Sequence, residues 1–221
     1  MKTRLFLCSL MIIVSTGNGQ TIFLKFGPSF SRLAYSNAWT DKISVKDFIV
    51  GYDAIVGVNY LNFKYFNLSS GIGLIQKGGN IDFADKVTNE AGSYHHKSTT
   101  RLNFLTINTT CNLGLPIKEI LKPYIFVGPR LDYLFSYDET SGFINNFYHQ
   151  NKVNKLIYGI LFGAGINFNI KRFQLGLVAD YYLNINKLVN YKGVSSLGDH
   201  EDTYIINDNT FTLNALIGYK F

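Results

Sequence analysis

The chain has 221 residues, 47% of them hydrophobic and 15% aromatic, but only 16% charged, with a formal charge of +6. A soluble domain carries about 25% charged residues, so this composition argues against a surface that meets water on every side. The modest basic excess points to no nucleic-acid partner, and a chain of this length can fold as one all-β domain.

Residues 1–19 read as an export signal. Lys2 and Arg4 form a positive head, residues 5–14 are apolar, and a small polar tail with Gly17-x-Gly19 precedes Gln20. That order is the secretory pattern. The apolar run is about half the ~20 residues needed to span a bilayer as a helix. Cleavage before Gln20 leaves 20–221 as a single domain and removes two positive charges, lowering the formal charge to +4. Cys111 is then the one remaining cysteine, so no intrachain disulfide is expected.

From residue 21 onward the hydrophobic pattern has period two, which predicts strands. Segment 21–33 sets Ile22, Leu24, Phe26 and Phe30 against Lys25, Gly27, Ser29 and Ser31. Segment 48–63 sets Val50, Tyr52, Ala54, Val56 and Val58 against Gly51, Asp53, Gly57 and Asn59. In 66–77 the apolar positions oppose Asn67, Ser69, Gly71, Gly73 and Lys77, and in 101–115 Leu105, Ile107, Cys111 and Leu113 oppose Thr106, Asn108, Thr110 and Asn112. Segment 122–137, KPYIFVGPRLDYLFSY, points Ile125, Val127, Leu131, Tyr133 and Phe135 one way and Phe126, Gly128, Arg130 and Asp132 the other. Segments 158–169, 173–185 and 211–221 repeat the alternation, the last ending on Phe221. That makes eight strands.

The joints alternate long and short. Residues 36–47, 79–99, 138–155 and 186–208 form long connections, while 62–65, PIKEILKP and Lys171-Arg172 are short. In an up-and-down barrel every long loop then lies at one end, as in outer-membrane barrels with long extracellular loops and short periplasmic turns. The predicted fold is therefore an eight-stranded antiparallel up-and-down transmembrane β-barrel. Closure follows from the solvent, because a bilayer leaves no water to satisfy an open sheet edge. In this frame the greasy set faces lipid, and the glycines, amides and charges fill a narrow lumen. Tyr60, Phe63, Tyr65, Phe66, Tyr124, Phe168, Phe173, Tyr219 and Phe221 gather at the periplasmic strand ends, as an aromatic belt. Pro28 and Pro129 interrupt strands that have no free edge, which predicts a bulge or a gap in the ladder at each.

The segments KPYIFVGPRLDYLFS, FLTINTTCNL, YGILFGAGINF and ALIGYKF together resemble the PorT-like outer-membrane β-barrel family of Gram-negative bacteria. The likeness covers essentially the whole mature chain. It departs at Thr106, where relatives usually have an acidic residue, and at Asn108, where they usually have proline. The resemblance implies a barrel in the outer membrane. It does not carry a role over, since most members have no assigned activity. Phe221, closing an aromatic strand, is similar to the signal read by the barrel-assembly machinery.

The candidate site is a lumen charge network of Lys25, Asp53, Lys77, Arg130, Asp132, Asp180 and Lys220. Arg130 is expected to be held by Asp180, Asp132 or both, because an unpaired charge in so narrow an interior costs several kcal/mol. A structural plug is one reading of the network, and a proton or ion path is the other. Arg32 and Arg101 face outward above the apolar windows of their strands, where guanidinium groups can meet lipopolysaccharide phosphates or snorkel to the interface. The four histidines, His95, His96, His149 and His200, all fall in the long connections, and neither a metal site nor a cofactor is expected. No serine sits in a nucleophile elbow, so the chain is read as non-enzymatic. Its expected partners are outer-membrane lipids and lipopolysaccharide, the assembly machinery, and a protein or surface ligand at the extracellular loops. Two alternatives remain at this stage: a soluble exported lipocalin-like barrel with the apolar faces turned inward, and a rim-active lipid-modifying barrel enzyme.

Overall fold

The computed structural model describes residues 20–37, 48–85, 94–117, 120–140, 152–194 and 201–221. The strands in chain order are β1 (Thr21–Asn37), β2 (Ile49–Tyr60), β3 (Phe66–Asp85), β4 (Tyr94–Gly114), β5 (Leu121–Glu139), β6 (Leu156–Ile170), β7 (Phe173–Asn184), β8 (Val189–Val194) and β9 (Glu201–Lys220). Neighbours in sequence pair antiparallel, and β1 pairs with β9 to close the cylinder. β7 covers β9 from Thr210 to Tyr219, and β8 covers it from Glu201 to Ile206 on the same side. β7 and β8 therefore form one interrupted stave, and the nine strands build an eight-stave barrel.

The apolar faces point outward. Leu24, Val56, Ile107, Val127 and Leu177 are all exposed, whereas Lys25, Asp53, Arg130, Asp132 and Asp180 are buried in the lumen. This is the reverse of a lipocalin, whose apolar side chains fill the cavity, and it overturns that alternative. The short connections 61–65 and 171–172, with residues 115–117 and 120 of the β4–β5 connection, lie at one end together with Gln20 and Phe221. There Phe221 donates its backbone N–H to Gln20 at 3.0 Å, and Lys220 donates to Arg172 at 2.8 Å. Leu61 and Lys171 take left-handed conformations in the two tightest of these turns, at φ 51° and 55°.

Several expected boundaries are corrected. β3 continues to Asp85 and β4 begins at Tyr94, so His95 and His96 lie on a strand and not in a loop. The stretch 186–208 holds β8 and the first part of β9. His149 and His200 lie outside the described residues, as does the export signal at 1–19. The reason these extensions are hard to read is physical. Above the membrane both faces of a stave can meet water or protein, so pairing continues while the alternation that reports a lipid face fades.

Neither proline makes a bulge. The β1–β9 register passes from Phe26↔Ala215 to Ser29↔Thr212 without a shift, and the β4–β5 register from Asn108↔Arg130 to Cys111↔Val127. The missing N–H leaves a short gap in each ladder, and the preceding glycine accommodates it. A Cβ on Gly27 would stand 2.0 Å from the Leu213 carbonyl oxygen, and one on Gly128 would stand 1.9 Å from that of Thr109. The real register shift is higher up, between Asn103 and Phe104, opposite the extra residue Phe135.

The aromatic belt is present at the periplasmic end, where Phe173 packs edge-on to Tyr219 at 5.5 Å and Tyr219 to Phe221 at 5.2 Å. Tyr124 is a correction. Its parity on β5 turns it into the lumen, against Phe126 at 6.0 Å.

Candidate functional site in the barrel lumen

The lumen is layered along the strand direction. Leu33, Ile75, Leu102, Phe104, Ile157 and Ile206 are fully or almost fully buried and belong to one apolar cluster, in which Leu33, Leu102 and Ile157 stand level with Asp208, Lys77 and Asp132. Sequence reasoning anticipated small and polar fillers here. An apolar cluster forms instead, because this part of the barrel packs as an ordinary protein core. Toward the periplasmic end the lining is rich in amides and hydroxyls, including Asn59, Asn67, Ser69, Asn112 and Asn167, around a cavity of about 50 Å³. That is room for a few waters. Above that cavity the charged residues are set among the apolar cluster.

Arg130 and Asp132 lie two apart on β5 and so share its inner face, where they are hydrogen-bonded to each other. Arg130 also donates to Asn184 Oδ1 at 2.5 Å, and its guanidinium stands 4.8 Å from the centre of the Tyr182 ring. Lys77, with no exposure at all, donates to Asp132 at 2.7 Å and is paired with Asp208 at 3.0 Å. Its ammonium sits 5.1 Å from the rings of both Phe104 and Tyr182. Charge-assisted hydrogen bonds and cation–π contacts of this kind are strongest where water is excluded.

The expected pairing of Arg130 with Asp180 is not what forms. Asp180 takes Lys25, whose ammonium is 2.9 Å from both carboxylate oxygens. It also accepts from Thr212 at 2.9 Å and from Asn214 at 2.6 Å. β1 and β7 both flank β9, so Lys25 reaches Asp180 across one stave. Asp53 accepts from Asn214 at 2.8 Å and from the Tyr182 hydroxyl at 3.3 Å. Tyr182 is the hub: its ring faces Lys77 and Arg130, while its hydroxyl ties in Asp53. The buried layer holds three cations, Lys25, Lys77 and Arg130, and four carboxylates, Asp53, Asp132, Asp180 and Asp208. Lys220, placed in the network by parity, is exposed on the last residue of β9 and pairs with none of them.

Asp208, Asn184, Tyr182, Thr212 and Asn214 were missed as site residues. Asp208 could have been found by continuing the inward parity of Asn214, Thr212 and Thr210 one step further. Asp53 Oδ1, Asp132 Oδ1, Arg130 Nε, Thr106 Oγ1 and Asn108 Nδ2 have no protein partner, and buried water is the usual way such groups are satisfied.

On the outer wall Arg32 and Arg101 are both exposed. The Arg32 guanidinium lies 5.5 Å from the Phe48 ring centre, and Arg101 donates to Gln76 Oε1 at 3.5 Å. Among the described residues, no three His, Cys, Asp or Glu side chains converge in a way that could hold a metal.

A family model described as "Outer membrane protein beta-barrel domain" matches residues 15–190. The chain belongs to that family. As an outer membrane β-barrel domain it is an integral protein of the cell outer membrane. No curated protein matches it in sequence. Among solved structures it is similar to the outer membrane protein OprG of Pseudomonas aeruginosa, at 14% identity and a TM-score of 0.54, covering 93% of this chain and 97% of that one. Neisserial surface protein A is similar at 11% identity and a TM-score of 0.49, over 90% of this chain and 97% of that one. The attachment invasion locus protein Ail of Yersinia pestis is similar at 14% identity and a TM-score of 0.42, over 92% and 99%. The likeness to OprG is one of fold.

Proposed function

We propose that this outer-membrane barrel is a non-enzymatic structural, accessory or surface-binding protein whose lumen is a plug and not a pore. The observation that carries this reading is how the lumen is filled. The amide-lined cavity of about 50 Å³ opens toward the periplasm. It ends where ion-paired charges and apolar side chains are buried together in register, Lys77 opposite Leu102, Asp132 opposite Ile157 and Asp208 opposite Leu33. An ion path needs a hydrated polar route through the barrel, and the buried Leu102, Phe104, Ile157 and Ile206 fill the lumen around the ion pairs. With transport set aside, contact falls to the part of the wall that extends beyond the membrane, around the β3–β4 and β8–β9 extensions. There a protein or surface ligand is bound, with lipopolysaccharide phosphates near Arg32 and Arg101. Phe221 serves the barrel-assembly machinery. The PorT-like branch is the proposed placement within the family, on the four segments that carry the resemblance.

Planar-bilayer recording tests the plug. The purified barrel is expected to give no steady single-channel current in the wild-type form. Steady conductance that disappears in Arg130→Ala would overturn the reading in favour of an ion path through the charged layer.

A further inference from the structure

The lipid-facing wall is not uniform. A groove of about 990 Å³ crosses the outer faces of β4, β5, β6, β7 and β9. Its banks are two successive rows of outward side chains that follow the strand register. One row runs from Leu113 through Ile125 and Ala164 to Leu213, and the other from Leu115 through Ile166 to Ala215. The groove is open because Ala164, Ala179 and Ala215 stand beside larger outward side chains, among them Ile166, Leu177 and Leu213.

Its dimensions select the occupant. Ala164 and Ala179 pair side by side in the first row and form the lowest part of an apolar floor. Four inter-strand spacings make the groove about 19 Å long. It starts at Leu115, just past the end of β4 and beside Tyr65 in the β2–β3 turn. It finishes at Ala215, five residues above the periplasmic end of β9 at Lys220. On strands tilted by about 40°, five residues climb roughly 13 Å, about half of the ~25 Å apolar band. The groove thus runs from the periplasmic interface to the bilayer midplane, the depth of one leaflet. At its lower end the exposed ammonium of Lys64 lies 5.2 Å from the Tyr65 ring centre. Among the described residues no carboxylate pairs with it.

We propose that this groove is a binding site for one diacyl phospholipid of the periplasmic leaflet, with an acyl chain lying along it over Ala164 and Ala179 and Lys64 meeting the phosphate. The apolar banks exclude water along the chain, and the cation stands where the headgroup must be. The site depends on the membrane placement alone and is indifferent to whether the lumen conducts. It is distinct from the lipopolysaccharide contacts proposed at Arg32 and Arg101, which lie toward the opposite leaflet.

Native mass spectrometry of the barrel extracted from membranes in mild detergent reads the site directly. The wild-type protein is expected to retain one phospholipid mass. Ala164→Phe combined with Ala179→Phe fills the groove with apolar rings on the lipid face, and is expected to lower that occupancy at least tenfold. Lys64→Gln is expected to lower it several-fold. Ala54→Phe, an outward change on β2 away from the groove, is a control for folding and should retain the lipid. Full lipid occupancy in the double variant, loss of lipid in Ala54→Phe to the same degree, no retained lipid in the wild type, or a retained protein or second-copy mass in its place would each overturn the proposal.

Discussion

Replacing Lys77 by methionine is expected to destabilise the folded barrel by about 3–5 kcal/mol, the cost of breaking a buried pair by removing one partner. Lys77 is wholly buried between Asp132 and Asp208, at 2.7 and 3.0 Å. Methionine keeps the apolar stem but lacks the ammonium that faces the Phe104 and Tyr182 rings. What it removes is the positive charge that separates two carboxylates in a site without bulk water. Arg130 still answers Asp132, but Asp208 keeps only Asn184 and Thr210. Urea titration of the barrel folded in micelles, followed by the folded fraction on unheated gels, measures the loss. Adding Asp208→Asn to Lys77→Met is expected to recover a large part of it, since the stranded charge is then gone. A loss under about 0.5 kcal/mol for the single variant would mean that water enters the charged layer freely, and the plug reading would fail with it.

Arginine at Val127 is expected to cost about 2–4 kcal/mol, the depth-dependent penalty for a cation on the lipid face near the bilayer midplane. Arginine at Leu156 is expected to cost about 0–1 kcal/mol. The two positions make the contrast sharp because they are nearly equally exposed, at 53% and 49%. What differs is height. Val127 lies in the lower half of β5, within the band spanned by the outward apolar rows, while Leu156 opens β6 at its extracellular end. On a barrel surrounded by water, either change would stay within about 0.5 kcal/mol. Refolding into bilayers of defined thickness, with stability read from denaturant midpoints, separates the cases. Equal small costs at both sites contradict a lipid-facing wall.

The architecture was legible because lipid imposes a strict rule on every spanning residue. From Ile22 to Phe26, and again from Ile125 to Phe135, one face must be apolar and the other need not be, so alternation reports the fold. The same rule gave the facing of Asp53, Arg130, Asp132 and Asp180. It could not give their partners. Parity tells which way a side chain points, whereas pairing depends on how far the tilted staves slide past one another, and that slide brings Lys25 to Asp180 and leaves Arg130 with Asp132 and Asn184.

Tyr182 was hidden behind its neighbour Tyr181, since two consecutive tyrosines on a strand necessarily face opposite ways and only one can lie in the belt-like outer set. Asp208 was hidden for a different reason. It lies in YIINDN, where adjacent isoleucines and adjacent polar residues break the period-two pattern, because this part of β9 stands at the edge of the apolar band. Tyr124 misled because an aromatic near a strand end fits a belt, although its even-numbered position on β5 shares the inner face of Phe126 and Arg130. At the prolines the second of the two expected outcomes holds: Gly27 and Gly128 let the partner backbone approach, so the ladder skips a pair and keeps its register.

Intermolecular NOEs between lipid acyl chains and protein methyl groups, recorded on the unmodified barrel in nanodiscs, test most directly which medium solvates which face. The account predicts acyl-chain cross-peaks to Leu24, Ile107, Val127 and Leu177, and none to Leu33, Ile75, Leu161 and Ile206. Acyl-chain cross-peaks to the second set, with water cross-peaks to the first, would contradict it.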